Sequence, residues 1–236
     1  MTDACMPAPF PVLAVLFDLD GTLADTAPDL GNALNRVRAD LALPPLPLSA
    51  LRPFASHGAR GMLRGAMGIE EDNSDYSVLR DKYLDYYGEA LFVHTRLFDG
   101  ADVMLTEIER RGLGWGIVTN KAARFTLPLL EHLGIAARAG AVICGDTTPH
   151  TKPHPAPLLA GAKSLTIDPA DCLYVGDAER DIAGGKAAGM KTVLARFGYL
   201  GPQDAPDTWH ADGSIDSLPA LLDWLPTYPG HAPALR

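Results

Sequence analysis

Cysteine is scarce in this sequence, and its positions exclude two kinds of structural support. Among 236 residues there are three cysteines, Cys5, Cys144 and Cys172. An odd number without the close spacing of metal ligands predicts neither a disulfide framework nor a zinc site. We therefore interpret all three as buried free thiols of a protein in the reducing cytoplasm.

Long apolar runs and an excess of positive charge are also missing. No apolar stretch reaches the roughly 18 residues of a membrane-spanning helix, and the first residues lack the pattern of a secretory signal. The 20 Lys and Arg against 29 Asp and Glu give a net charge of −9. Nucleic acids and anionic membranes select basic surfaces, so we expect neither as a partner. A small anionic substrate needs only one locally positive pocket and is compatible with this charge.

The sequence does contain an alternation of short strands and amphipathic helices. Five apolar runs have the length and composition of buried parallel strands, namely residues 12–17, 115–118, 141–144, 173–175 and 192–195. Apolar residues recur at helical spacing over 122–133, where Gly134 is a typical helix stop, and over 156–165. This alternation predicts an α/β fold with a doubly wound, Rossmann-like parallel sheet.

One long segment interrupts the alternation. Residues 28–92 contain no convincing strand but three or four helical stretches, and the proline-rich residues 43–47 can only join helices. We interpret this segment as an all-α cap inserted after the first strand. The predicted organisation is an α/β core of residues 1–24 and 96–225, a helical cap of residues 25–95, and a tail of residues 226–236 that we expect to be frayed.

Several polar side chains that can take part in catalysis lie at the ends of the predicted strands or shortly after them. They are Asp18, Asp20, Thr119, Asn120, Lys152, Asp177 and Asp181. In an open α/β sheet, ligands bind beside the carboxyl ends of the strands, so these side chains are expected to meet at one edge. Each motif alone is weak, because Asp and Gly are common in turns and a lone lysine is usually exposed. Their common position at strand ends is what favours a catalytic site.

The chemistry of this set favours phosphoryl transfer. Four carboxylates in one place repel each other, and a hard divalent cation with oxygen ligands, Mg²⁺, relieves the repulsion. A carboxylate such as Asp18 can attack phosphorus to give an acyl phosphate. Mg²⁺, Lys152 and the Thr119 hydroxyl can stabilise the negative charge of the transferred group. A second carboxylate, Asp20, can protonate the leaving oxygen and then deprotonate water.

Four segments resemble, in their order and spacing, the four motifs of the haloacid dehalogenase superfamily. They are residues 17–23, 118–120, 152–153 and 175–181. The resemblance covers nearly the whole chain, and the helical insertion resembles the small α-helical cap of that superfamily. It implies a nucleophile, Asp18, a general acid and base, Asp20, and a lysine, Lys152, that orients Asp18. It also implies phosphate binding by Thr119 and Asn120, and Mg²⁺ binding by Asp18, the backbone carbonyl of Asp20 and Asp177, with Asp181 as an additional or indirect ligand.

The resemblance leaves the substrate open between two esters. The chain is similar to bacterial phosphoglycolate phosphatases, whereas residues 56–60, 97–100, 115–121 and 196–199 more closely resemble a branch that dephosphorylates N-acetylmuramic acid 6-phosphate in cell-wall recycling. Both esters carry a carboxylate, which Arg60 could bind bidentately. A solvated arginine near a helix start is an equally good interpretation of Arg60.

Three other functions compete with a phosphatase. A hydrolytic dehalogenase needs neither a metal nor a second acid, so Asp20, Asp177 and Asp181 count against it. A sugar phosphomutase of the β-phosphoglucomutase type uses the same catalytic groups and stays open. A non-catalytic binding protein has no use for this set of side chains. The sequence leaves a monomer and a homodimer equally open.

Overall fold

A six-stranded parallel sheet lies at the centre of the computed structural model, which describes residues 9–227. In chain order the strands are β1 (Ala14–Phe17), β2 (Ala24–Asp25), β3 (Arg96–Leu97), β4 (Gly114–Val118), β5 (Ala141–Ile143), β6 (Cys172–Gly176), β7 (Lys191–Ala195) and β8 (Gly213–Ile215). The order in the sheet is β5-β4-β1-β6-β7-β8, and β2 pairs only with β3. The five predicted strands are confirmed with ends that differ by one or two residues, and the α/β class is confirmed with them.

Strand β1 shows why these runs form a buried sheet. All four of its residues are buried, and they alternate between two apolar clusters. Val15 and Phe17 pack with the helices on one face, while Ala14 and Leu16 pack on the other. Because β1 has β4 on one side and β6 on the other, the strand order reverses direction around it. Such a reversal opens a crevice at the carboxyl ends of the strands.

Residues 9–227 contain eight α-helices, four in the segment between β2 and β3 and four along the rest of the chain. They are α1 (Ala27–Asp40), α2 (Leu48–Leu51), α3 (Gly58–Met67), α4 (Tyr76–Glu89), α5 (Ala101–Arg110), α6 (Ala123–His132), α7 (Ala156–Leu165) and α8 (Glu179–Ala187). Helix α7 has the predicted bounds, and α6 is one residue shorter at each end than predicted. Helices α1 to α4 occupy the segment in which the sequence predicts helices and no strand.

The helices α1 to α4 share one apolar cluster, which Phe125 and Tyr199 join from outside the segment. Leu34, Met62, Leu63 and Tyr83 are fully buried in it. The chain enters this segment through β2 and leaves it through β3, which pair antiparallel with Ala24 opposite Leu97. We call residues 25–95 the cap segment below.

Some predictions concern residues at the ends of the chain. Cys144 and Cys172 are buried free thiols, as expected, whereas Cys5 lies outside the described residues. The tail expected over 226–236 also lies outside them, except for its first two residues. Within residues 9–227, no helix combines the length and apolar character needed to cross a membrane.

Candidate active site

Three acidic side chains meet where β1 and β6 end. Asp18 follows β1, while Asp177 and Asp181 follow β6, and β1 and β6 are neighbours in the sheet. One carboxylate oxygen of each lies within 4.8 Å of the others, and all three residues are buried. For these three acids, side chains distant in sequence meet at one edge of the sheet, as expected.

Lys152 lies between two of these carboxylates. Its Nζ is 2.9 Å from Asp18 Oδ1 and 2.8 Å from Asp181 Oδ1, and its side chain is fully buried. The same ammonium donates a hydrogen bond of 2.7 Å to the Tyr174 hydroxyl, which in turn donates one of 2.7 Å to the Val118 carbonyl. Tyr174 thus gives the ammonium a third partner besides the two acids.

The Asn120 side chain contacts the backbone of Lys152. Its Nδ2 donates to the Lys152 carbonyl and its Oδ1 accepts from the Lys152 N–H, both at 2.9 Å. This reciprocal pair joins the loop after β4 to the loop that carries Lys152. The phosphate-binding role that the sequence suggests for the Asn120 side chain stays a prediction. In the structure its amide positions Lys152.

Asp177 is surrounded by donors and by other acids. Its carboxylate accepts from the Tyr199 N–H at 2.8 Å and from the Ser56 hydroxyl of the cap segment at 3.0 Å. Burial, reinforced by the charges of Asp181 and Asp18, raises the pKa of Asp177 to about 7. Although Lys152 pairs with Asp18 and Asp181, their remaining charge and the burial favour a protonated Asp177 below about pH 7.

Two glycines allow the backbone to approach this acid. A Cβ on Gly21, whose φ is +82°, would lie 2.3 Å from Asp177 Oδ2, and one on Gly198 would lie 2.2 Å from Asp177 Cβ. Both distances are far below van der Waals contact, so any side chain at either position would displace Asp177. The absence of a side chain at Gly21 and Gly198 therefore leaves room for the acid.

These residues fit a hard divalent cation. Three buried carboxylates converge, and Asp181 Oδ1 lacks a well-aligned hydrogen bond although Lys152 Nζ is near. An all-oxygen set of this kind suits Mg²⁺. The carboxylate of Asp20 is not part of the cluster, because its Oδ1 contacts Lys121 and Thr26 instead. A contribution from the Asp20 carbonyl stays a prediction of the family resemblance.

A cavity of about 710 Å³ opens above Asp18 and Asp20. Thr119 lines it from the sheet edge, and residues of the cap segment line it from the other side. Five basic side chains are among its lining residues: Arg60, Arg64, Lys121, Arg124 and Arg180. The pocket is thus locally positive on an acidic protein, as an anionic substrate requires.

Arg60, a predicted substrate ligand, lines the mouth of this cavity. Its side chain is 61% exposed, and its Nε lies 3.4 Å from Glu71 Oε2. An exposed pair of this length restrains a side chain only weakly. Arg60 is therefore free to turn toward a ligand, and its role stays a prediction.

The structure adds site residues that the sequence reasoning missed. Arg180 donates to the Ser56 carbonyl at 2.6 Å, and its Nε is buried without a hydrogen-bond partner among residues 9–227. Lys121 contacts Asp20, and Tyr174 contacts Lys152. The adjacency of Lys121 to Thr119 and Asn120 was a usable signal. Tyr174 lies inside an apolar strand, and nothing in the sequence indicates its contact with Lys152.

Comparisons with known proteins agree with this geometry. A model of the family described as haloacid dehalogenase-like hydrolase matches residues 15–195. N-acetylmuramic acid 6-phosphate phosphatase of Pseudomonas aeruginosa is 43% identical over 212 residues, which is 90% of this chain and 94% of that protein. Phosphoglycolate phosphatase of Xanthomonas campestris pv. campestris is 42% identical over 210 residues, 89% of this chain and 95% of that protein. The crystal structure of a predicted phosphoglycolate phosphatase from Haemophilus somnus 129pt superposes with a TM-score of 0.80 at 26% identity, covering 90% of this chain and 97% of that one.

Proposed function

This chain belongs to the haloacid dehalogenase-like hydrolase family, and we propose that it is a magnesium-dependent phosphatase of small phosphate esters. One observation carries the proposal. Asp18 lines a cavity rich in basic side chains, and its carboxylate lies 2.9 Å from Lys152 Nζ and beside two further buried acids. This is the arrangement that a carboxylate nucleophile for phosphorus needs.

We assign the first half of the reaction to Asp18 and Asp20. A carboxylate oxygen of Asp18 forms a bond to phosphorus while the bond from phosphorus to the ester oxygen breaks. Asp20 gives its proton to that leaving oxygen, so the alcohol departs neutral. Lys152 and the Thr119 hydroxyl offset the negative charge on the phosphoryl oxygens. The product is an aspartyl phosphate and a free alcohol.

The second half returns the enzyme to its starting state. Asp20, now ionised, takes a proton from water as the water oxygen attacks the aspartyl phosphate. The bond between phosphorus and the Asp18 oxygen breaks, and inorganic phosphate leaves. A Mg²⁺ ion bound by Asp18 and Asp177, with Asp181 close by, would supply positive charge to the phosphoryl group in both halves.

We also propose that the cap segment acts as a cap domain over this cavity. Two features support the assignment. The helices of the cap segment pack on one apolar cluster, and the segment supplies lining residues such as Ser56 and Arg60 to the cavity that contains Asp18. Covering the site in this way excludes bulk water during attack by Asp18.

Two esters compete as the substrate, and the cavity favours the larger. Pockets of several hundred cubic ångströms accommodate ligands of drug size. A two-carbon ester such as 2-phosphoglycolate would leave most of the 710 Å³ to water, whereas N-acetylmuramic acid 6-phosphate carries a sugar ring and two substituents that could occupy it. The larger ester is therefore our second and more specific proposal.

Phosphate release from the two esters, measured side by side, tests both proposals. Wild type and Asp18→Asn are compared with Mg²⁺ and with chelator. We expect release that requires Mg²⁺, disappears in Asp18→Asn, and has the higher kcat/KM with N-acetylmuramic acid 6-phosphate. A higher kcat/KM with 2-phosphoglycolate would overturn the substrate assignment alone. No release from either ester, nor from an aryl phosphate, would overturn the phosphatase assignment, and conversion of a sugar phosphate without free phosphate would indicate a mutase.

A further inference from the structure

Asp20, the proposed acid and base, has a fixed orientation in the structure. Its Oδ1 accepts a hydrogen bond from Lys121 Nζ at 2.9 Å and another from the Thr26 hydroxyl at 2.5 Å. Only 15% of the Asp20 side chain and 7% of the Lys121 side chain is exposed. A pair this buried is screened little by solvent, so it restrains the carboxylate more than a surface pair would.

The two oxygens of Asp20 have different surroundings. Oδ1 has both donors, whereas Oδ2 has no hydrogen-bond partner among the described residues. Asp20 and Lys121 both line the cavity that contains Asp18. The contact with Lys121 therefore leaves one oxygen available for a proton transfer inside the cavity.

The position of Lys121 is itself determined from two sides. Its ammonium lies 4.5 Å from the centre of the Tyr87 ring, which α4 of the cap segment contributes. Tyr87 is buried, and burial keeps the pKa of its phenol well above the usual value, so the ring stays neutral and attracts the cation through its face. On the other side, Lys121 follows Asn120, whose side chain is fixed to the Lys152 backbone.

We propose that Lys121 is a positioning residue, which orients Asp20 through Oδ1 so that Oδ2 delivers its proton to the leaving oxygen. The inference rests on the proposed phosphatase function. In the step concerned, the Asp18 oxygen bonds to phosphorus, the ester oxygen separates from phosphorus, and the proton moves from Asp20 to that ester oxygen. Lys121 makes no bond in this step. Tyr87 links the same positioning to the cap segment.

A positioning role has a signature that a structural role lacks. Alkoxide leaving groups need a proton, whereas a p-nitrophenolate leaves readily without one. Loss of Lys121 should therefore affect esters in proportion to the basicity of their leaving group. The informative quantity is kcat/KM, because it reports the first irreversible step, in which the alcohol departs.

The experiment compares Lys121→Met with wild type on a series of alkyl and aryl phosphates. Lys163→Met, an exposed position on α7, serves as the matched control. Since general acid catalysis contributes about 10²–10⁴-fold, we expect kcat/KM of Lys121→Met to fall about 100-fold for alkyl esters and less than about 3-fold for p-nitrophenyl phosphate. A plot of log kcat/KM against leaving-group pKa should become steeper, and Lys121→Arg should restore part of the original slope.

An equal loss of kcat/KM on every ester would overturn the proposal and assign Lys121 a structural role. Wild-type kcat/KM in Lys121→Met would overturn it too. If wild type itself released no phosphate, the failure would be that of the phosphatase assignment. Thermal unfolding identifies a variant that does not fold, and Tyr87→Leu then provides the same comparison with Lys121 intact: a steeper slope supports the proposal, and an unchanged slope contradicts it.

Discussion

Replacing Tyr174 by phenylalanine should destabilise this protein far more than one hydroxyl ordinarily would. The Tyr174 side chain is fully buried, accepts a hydrogen bond from Lys152 and donates one to the Val118 carbonyl. The variant leaves both partners buried with one contact fewer. An unsatisfied buried group costs about 1–3 kcal/mol, and more when it is charged, so the free energy of unfolding should fall by about 2–5 kcal/mol.

The chain offers a matched control in Tyr83. It is also fully buried, but its hydroxyl has no hydrogen-bond partner within the described part of the chain. Tyr83→Phe removes the same hydroxyl oxygen and leaves no described group without a hydrogen-bond partner. The free energy of unfolding should therefore stay the same or rise by about 1 kcal/mol. Two identical substitutions at equally buried sites should thus act in opposite directions, or at least differ by about 2 kcal/mol.

Urea unfolding followed by tryptophan fluorescence measures both variants, with chelator present so that metal binding does not contribute. The midpoint should shift without a change in m-value if only the native contacts differ. We also expect kcat of Tyr174→Phe to fall, because Lys152 loses its support. A free energy of unfolding for Tyr174→Phe within about 0.5 kcal/mol of wild type, or an equal loss in Tyr83→Phe, would show that the Tyr174 hydroxyl does not support its two partners.

Three further predictions concern charge, backbone space and substrate contact. The pKa of Asp177 is about 7 in the folded protein against an ordinary value of 3.8, so between these pH values the native state holds a proton that the unfolded state has lost. The free energy of unfolding in chelator should therefore fall as pH rises from about 4 to about 7, and an equally steep fall in Asp177→Asn would contradict this. Gly198→Ala should abolish activity and lower the free energy of unfolding, since its Cβ would lie 2.2 Å from Asp177 Cβ. Gly88→Ala, exposed on α4, should instead raise the free energy of unfolding by up to about 1 kcal/mol, and equal effects of the two variants in urea unfolding would refute the contrast. Arg60→Ala should raise KM for a carboxylate-bearing ester and leave KM for p-nitrophenyl phosphate unchanged; unchanged steady-state kinetics with both would exclude the contact.

The fold was predictable where burial determines residue type. Strand β1 lies between two helical layers, so nearly every residue in it is apolar, and the run is visible without other information. Strand β8 is short, lies at the edge of the sheet and has a polar serine at its centre, so the same criterion misses it. Pairing of β2 with β3 joins two-residue strands about seventy positions apart, and no local pattern encodes such a contact.

The site was predictable for residues whose backbone position alone places them. Asp18 and Asp177 follow buried strands directly, so the topology brings them together. Contacts that depend on side-chain direction were not accessible. The sequence could not show that the Asn120 amide pairs with the Lys152 backbone, or that Asp20 turns away from the other acids toward Lys121.

The short ribbon of β2 and β3 has an evolutionary consequence. The chain departs toward the cap segment at Asp25 and returns beside it at Arg96, so the two ends of the excursion are paired backbone neighbours. Insertions and deletions between them need not alter the strand order, provided that the contacts of Ser56 with Asp177 and of Thr26 with Asp20 are kept. Selection can therefore vary the length and sequence of the cap segment while the order of the strands that carry Asp18 and Asp177 is kept.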